Sequence, residues 1–445
     1  MSSPPVTPVQ SDTILPERVE VVIVGGGIVG ACTALFLARK GVRVAVCEKG
    51  YIGGEQSSRN WGWCRKMGRD YREMPLIIES MRLWEGMDAM SEGQTGFRHG
   101  GGTTYFTDDA AQMERYIGWL DNVSQYQIDT KVLSGSELAR MFPGSARPWV
   151  GGLHTASDGM AEPGLATSAI VEGARKLGAA IFTNTAVRGV ETKAGRVCTV
   201  VTEKGRIDCD SVVVAGGGWS SLFLRNLGIR LPQLKVLANV MRTAPIEDGP
   251  QGCGSGPGFG FRKRLDGGYN VSMRSAHPVD IVPDSFRFLG DFRQALSSER
   301  KAMRFRIGKR SFQEALMPSR WSLDSKTSFE KYRTLDPTPA DDILDQAGRN
   351  IGAIFPAMAK MKVLEKTAGF VDVTPDAIPV ISPVETMPGL YVSTGYSGHG
   401  FGIAPGAGRL MAQMITGDQP LVDPAPYRFS RFSDGSKIVH WPMGF

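Results

Sequence analysis

Residues 19–30 read VEVVIVGGGIVG, and the rest of the chain is organised around them. The apolar run Val21 to Val24 has the make-up of a buried strand. Gly25, Gly27 and Gly30 form the turn that leaves it, and Ala31 to Lys40 continues as a helix. A second apolar run, Val42 to Cys47, delivers Glu48 about 20 residues beyond the turn. Strand, glycine turn, helix, second strand and terminal acid, in that order, specify a dinucleotide site. The phosphates sit on the unpaired N–H groups of the helix N-terminus, where the helix dipole favours negative charge. A carboxylate at position 48 accepts hydrogen bonds from ribose hydroxyls and repels a 2′-phosphate, which counts against NADP.

With 445 residues the chain is long enough for two lobes, and 42% hydrophobic with 22% charged residues is ordinary globular composition. No run reaches the roughly 18 uncharged apolar residues of a spanning helix. The opening MSSPPVTPVQSDTILPE lacks the basic cluster and apolar core of a secretory signal, so residues 1–17 are expected to be a flexible tail. Six cysteines, Cys32, Cys47, Cys64, Cys198, Cys209 and Cys253, include no CxxC pair. That suits a reduced cytoplasm and argues against a disulfide reductase or a zinc site. Net charge is +6, with basic runs at Arg262 to Arg264 and Lys301 to Arg310. They read first as solvated faces, with an acidic membrane surface or a partner as the alternative; no nucleic-acid motif accompanies them.

Beyond Glu48, the loop from Gly50 to Leu76 carries Ser57, Ser58, Arg59, Asn60, Trp61 and Trp63, unusual company for a linker, and is expected to lie on the cofactor. Pro75 to Met90 has helical apolar spacing, Arg98 to Phe106 reads as a strand entering a different layer, and Asp109 to Tyr126 and Ser134 to Met141 read as helical. The chain returns at Gly151 with a strand, a turn at Asp158 and Gly159, and a helix from Pro163 to about Gly178. Three strand runs follow, joined by AGR and EKGR turns and ending in Val212 to Gly218. Such a meander before the last strands is a feature of two-domain flavoproteins, a fold-level analogy. Residues 231–365 offer strand-like pieces (Val236 to Arg242, Gly258 to Arg264, Tyr269 to Ser275) and helix-like ones (Asp284 to Leu296, Ser311 to Met317, Pro339 to Phe355). QGCGSGPGFGF reads as a surface hairpin. Near the end a strand, Leu390 to Thr394, leads through a glycine loop to a helix from about Pro405 to Thr416, a second element able to stabilise negative charge.

These features together resemble the D-amino-acid oxidase superfamily of flavoproteins, in the branch of glycine oxidase and sarcosine oxidase. The resemblance rests on GGGIVG with Glu48, the QSSRN loop, SDGMAEP, VETKAGRV, VVVAGGGWS, TPDAIPVI and GYSGHGFG. It implies an α/β fold with a Rossmann-like FAD-binding domain (18–98, 152–230 and 366–430), a discontinuous substrate domain on a mostly antiparallel sheet (99–151 and 231–365), and a C-terminal extension (431–445). It also implies oxidation of a C–N bond in an amine or amino acid. Motif and resemblance assign FAD to Gly25, Gly27, Ile28, Val29, Gly30, Glu48, Lys49, Ser57, Ser58, Arg59, Asn60, Trp61, Val187, Gly216, Gly217, Trp219, Gly398, His399, Gly400, Phe401, Gly402 and Ile403. Gly369 stands where sarcosine oxidase has its flavin-linking cysteine, so the FAD is expected to be non-covalent. Val371 replaces the substrate-clamping arginine of glycine oxidase. Arg65 is the nearest carboxylate anchor by spacing, with Arg59 as competitor and a salt bridge as its bland alternative. Gly402 replaces the lysine that follows SGHGF in sarcosine oxidase, which leaves O2 and a quinone both open as acceptor. His399 is expected at the flavin edge, or else as a capping or packing residue; Trp61 and Trp63 wall the cavity; Tyr269, Arg274 and His277 are candidates from the substrate lobe. An oligomer is allowed. If electrons pass to a quinone or another carrier, the basic helices within 284–317 are candidates for docking a membrane or an acceptor protein. Two other readings stay open: 2-hydroxy-acid oxidation with His399 or His277 as base, and an FAD-binding subunit without turnover.

Overall fold

The computed structural model describes residues 4–273, 277–300 and 303–441. Val21–Val24 lies inside a six-stranded sheet, flanked in parallel by Val44–Cys47 and Ser211–Val214. The order runs Val380–Pro383, Leu390–Thr394, Ser211–Val214, Val21–Val24, Val44–Cys47, Ala180–Phe182, parallel except at the first pair. Both faces are covered, which is why these strands are continuously apolar rather than alternating. Val21, Ile23, Val44 and Val46 pack with the helices Ile28–Ala38, Met74–Glu85, Pro163–Lys176 and Gly400–Thr416. Their neighbours Val22, Ala45 and Cys47 join the meander Val187–Lys193, Arg196–Thr202 and Gly205–Asp208 on the other face.

An eight-stranded sheet forms the second layer system, in the order Val363–Val373, Leu234–Thr243, Tyr269–Ser272, Phe259–Lys263, Cys253–Gly256, Thr103–Thr107, Gly151–Thr155, Thr130–Ser134. Its pairs are antiparallel except Cys253–Gly256 beside Thr103–Thr107. Helix Asp341–Ile354 covers it, Ile343, Leu344, Ala347 and Ile351 packing with Phe259, Phe261 and Val271. Among the described residues no helix is long and apolar enough to cross a membrane.

Several expectations shift. The opening stretch is pinned rather than loose: Asp12 exchanges backbone and side-chain bonds with Ile181, and Thr7 bonds Gly164 and Ser168. Expected domain boundaries at 151/152 and 365/366 cut through two strands of the eight-stranded sheet. The helix expected over 284–296 is two, Pro283–Arg287 and Arg293–Glu299, with Gly290 in the break. The last helix starts at Gly400 rather than Pro405. A mid-helix proline normally disrupts the ladder; here Gly406 N–H donates to Ser80 Oγ, while Ser80 Oγ and Trp84 Nε1 donate to Gly402 O.

Candidate active site

Two helix N-termini open onto one cavity of about 860 Å³, large even among ligand clefts of ~300–1,000 Å³. At one end is Ile28–Ala38. Gly25 has φ +115°, and a Cβ there meets Ala215 O at 2.4 Å; a Cβ on Gly30 meets Gly25 O at 2.2 Å. The strand and helix therefore approach through backbone alone. Ile28 N–H donates to Ser57 Oγ at 2.9 Å, and the remaining first-turn N–H groups have no partner inside the helix. Asn60 folds the hydroxyl loop on itself, donating to Gln56 O and Ser57 O and accepting from Gly62 N–H. Glu48 accepts Gly26 N–H and Gly50 N–H, both at 2.7 Å. Burial raises its carboxyl above the ordinary range, against Lys49 and those two donors. Lys49 donates to Glu55 at 2.6 Å and lies over the Trp219 ring, whose Nε1 also donates to Glu55.

Toward the other end, Gly398, His399, Gly400, Phe401 and Gly402 line the cavity at the start of Gly400–Thr416, which has no side-chain cap. Ser397 holds the left-handed region at φ +51°, strained for a non-glycine residue, and its N–H bonds Asp372 O. Asp372, buried, accepts from Gln233 Nε2, Thr394 Oγ1 and Gly395 N–H, tying the long strand Val363–Val373 to the glycine loop.

The residues present fit FAD. A carboxylate stands where an adenosine ribose needs an acceptor, and a glycine-lined helix N-terminus stands where a pyrophosphate needs N–H donors. A second uncapped N-terminus, that of Gly400–Thr416, also lines the cavity, where it can stabilise negative charge on a reduced flavin. Of the assigned residues, Gly25, Gly27, Ile28, Val29, Glu48, Lys49, Ser57, Arg59, Asn60, Trp61, Val187, Gly216, Gly217, Trp219 and Gly398 to Gly402 line the cavity. Ser58, Gly30 and Ile403 stand behind the wall. Gly369 and Val371 line it too. Cys47 does so beside Glu48, and burial pushes its thiol up to about 12, so it is no nucleophile.

Arg59 spans to Asp336 at 2.7 Å and to Ala368 O, so it joins segments rather than waiting for a ligand. Arg65 is buried and lines the cavity, its guanidinium near the Trp63 and Tyr105 rings at 5.5 and 5.8 Å. It donates to Met67 O. Arg69, also buried and lining the cavity, has an Nη1 with no partner among the described residues. Burial, and then Arg65, lowers its guanidinium to about 10. Behind both lies Glu73, fully buried, 3.3 Å from His399 Nδ1. That is close enough for charge attraction, though not aligned as a hydrogen bond. Burial lowers the imidazole's pKa; it alone raises that of Glu73, but His399, with Arg69 and Arg72, holds Glu73 below its usual value. His399 thus lines the cavity with its Nδ1 turned toward Glu73. Asp158 accepts Lys66 N–H at 2.7 Å and Met67 N–H at 3.3 Å, fixing the arginine loop; burial raises it to about 6.

Trp61 and Trp63 both line the cavity, edge to face at 5.0 Å. Tyr269 does not. Its hydroxyl donates to Pro250 O and its ring sits in the aromatic core of the eight-stranded sheet, away from the cavity. Arg274 and the His277 side chain lie outside the described residues. Sequence reasoning missed Arg69 and Glu73, whose one signal was helical spacing of charge after Arg65, and Asp372, which had none.

A model of the FAD-dependent oxidoreductase (DAO) family matches residues 20–414. The solved L-amino acid deaminase from Proteus myxofaciens, in complex with anthranilate, superimposes with a TM-score of 0.93 at 33% identity, covering 97% of this chain and 98% of that one. The sarcosine oxidase subunit beta of Rhizobium meliloti is 26% identical over 94% of this chain and 89% of its own length. The glycine oxidase of Pseudomonas aeruginosa is 25% identical over 92% and 97%.

Proposed function

The chain belongs to the DAO family of FAD-dependent oxidoreductases, oxidising the C–N bond of an amine or amino acid, and we propose that its substrate is an L-α-amino acid held by its carboxylate. One observation carries this reading: Arg65 and Arg69 are buried in the cavity wall with no carboxylate at ion-pair distance among the described residues. Glu73 and Asp158 act on these guanidiniums only from beyond ion-pair distance, so the buried charge is incompletely compensated, at a cost on the order of a few kcal/mol. A substrate carboxylate removes that cost. Arg65 gives one N–H to Met67 O, and its other donors are left to grip a carboxylate in two parallel bonds.

When bound, FAD accepts a hydride from the amine-bearing carbon. The protein's part is placement, since orientation alone supplies much of the rate. Arg65 fixes the carboxylate, Trp61 and Trp63 exclude water around the side chain, and the N-terminus of Gly400–Thr416 stabilises charge at the far edge of the site. The amine lone pair forms the C=N bond as hydride leaves, and water then converts the imine to a 2-oxo acid and ammonia. His399, its ring beside Glu73, is poorly disposed as base for a hydroxyl proton, which favours the amine over a 2-hydroxy acid. Gly369 supports non-covalent FAD, and Gly402 leaves O2 and a quinone both open as acceptor. These supports are resemblance and geometry together.

The test is anaerobic titration of the FAD-loaded protein with L- and D-amino acids, their decarboxylated amines, and 2-hydroxy acids. Bleaching of the flavin absorbance by L-amino acids, far weaker with the amines lacking a carboxylate, is expected. Equal bleaching by decarboxylated amines sinks the anchor reading; bleaching by hydroxy acids alone sinks the amine reading.

A further inference from the structure

The C-terminal stretch delivers an imidazole to the cavity wall. Arg431, buried, donates to Asp376 at 2.9 Å and to Ile378 O at 2.7 Å, and Tyr427 Oη donates to Arg72 O. Arg72 donates in turn to Val439 O at 2.9 Å, and the Trp441 ring stands edge to face against Tyr71 at 5.9 Å. Held on both sides, His440 gives its N–H to Gln294 Oε1 on helix Arg293–Glu299, and it lines the cavity together with Glu299, Val373, Thr374 and Ser397.

The His440 side chain is 8% exposed, and its two ring nitrogens are differently placed. Nε2 lies 3.4 Å from Glu299 Oε1 and donates to that carboxylate. Nδ1 then keeps its lone pair, and it is buried with no partner among the described residues. A carboxylate that fixes one nitrogen and leaves the other open to a cavity is how a general base is oriented.

The reaction needs such a group. An amino acid arrives as its ammonium form at neutral pH, and hydride leaves only when the nitrogen lone pair is free to form C=N. His399 is the other imidazole lining the cavity among the described residues, and it is the poorer acceptor: burial, and then the charge of Arg69, holds its proton affinity down.

We propose that His440 Nδ1 takes the ammonium proton, an assignment that rests on the amino-acid reading above. The N–H bond breaks and its electron pair stays on nitrogen to become the second bond of C=N, while the C–H pair departs with the hydride. Glu299 steadies the imidazolium through Nε2–H, and water takes the proton when product leaves. The charged groups on the elements packed against the ring are Glu299 and exposed Arg293 on the helix, and Arg72 with its partner Asp70 on the arginine loop.

Anaerobic stopped-flow reduction of the full FAD-loaded chain at saturating substrate, between about pH 6 and pH 10, tests this. The proteinogenic L-amino acids are screened first, and the fastest reducer is used. The flavin of His440→Gln should be reduced about a hundredfold or more slowly at about pH 7, with flavin content and melting temperature kept. The deficit should shrink as pH rises into the range where the ammonium loses its proton unaided, a displacement that a merely structural role does not produce. Glu299→Gln should show a smaller deficit in the same direction, and it carries the test if His440→Gln does not fold. A wild-type profile in both variants overturns the proposal and leaves the amino-acid reading standing. So does a deficit that is constant with pH, or a displaced profile found in His399→Gln instead. If no L-amino acid reduces the wild-type flavin, the reading of the site falls and this assignment falls with it.

Discussion

The two ends of the cavity are built by opposite means. At the nucleotide end almost every group is backbone: glycines at a strand–helix turn, N–H groups of a first helical turn, one carboxylate accepting two N–H bonds. At the other end the material is buried side-chain charge, Arg65, Arg69, Glu73 and Asp158, assembled from distant segments. Backbone donors suit a ligand part that never changes. Buried charges cost stability until their ligand arrives, and so suit a part that comes and goes.

The largest effect should come from the backbone end. Gly30→Val places a Cβ 2.2 Å from Gly25 O, where no flexible side chain can yield, and the cost is about 3 kcal/mol or more. Purified protein should carry little or no flavin and melt earlier. A yellow variant of wild-type stability would show that the turn is not held by close packing, and would blur the contrast between the ends.

This contrast also explains what the sequence could convey. Val21 to Glu48 is legible because strand, glycine spacing and terminal acid are local and lie within 28 residues. Residues 65–73, RKMGRDYRE, belong to the loop expected on the cofactor, but charge density alone is the usual mark of exposure and does not say that Arg69 and Glu73 are buried beside Arg65. Only the fold reveals burial, by bringing Asp158 to Lys66 and His399 to Glu73 across 92 and 326 residues. Tyr269 misled for a different reason: Tyr269–Ser272 is buried on both faces, so alternation does not indicate which side looks at the cavity. The break at Gly290 and the helix start ahead of Pro405 depend on tertiary partners that composition does not name.

Arg65→Met sharpens the comparison, because a buried unpaired cation should trade function against stability. Without substrate the variant should be as stable as wild type or more so, since an apolar side chain of similar length removes an incompletely compensated charge. With an amino acid, kcat/KM should fall about a thousandfold, about 4 kcal/mol, mostly through KM. The flavin spectrum should be unchanged. A variant that loses stability as well as affinity would make Arg65 a structural residue.

The most gradual effect, spread over pH and reaching its full extent only at the ends of the range, is a pH dependence at Asp158. Its folded pKa is raised from 3.8 to about 6 by burial, so the native state holds this proton more tightly than the unfolded chain. Native stability gains from that proton below the ordinary carboxylate range and loses it as pH rises toward about 6, above which the cost is constant. Full extent is about 3 kcal/mol, from a shift of about two units at 1.36 kcal/mol each. Asp158→Asn cannot titrate. The difference in unfolding free energy between wild type and this variant, from urea titrations between about pH 4 and pH 7, should therefore drift against wild type as pH rises and then level off. A difference that stays flat would mean that Lys66 and Met67 N–H groups hold the carboxylate charged throughout, as backbone donors do for carboxylates elsewhere. In that event the arginine loop would rest on the same kind of support as the nucleotide end, and the division between the two ends would lie at Arg65 and Arg69 alone.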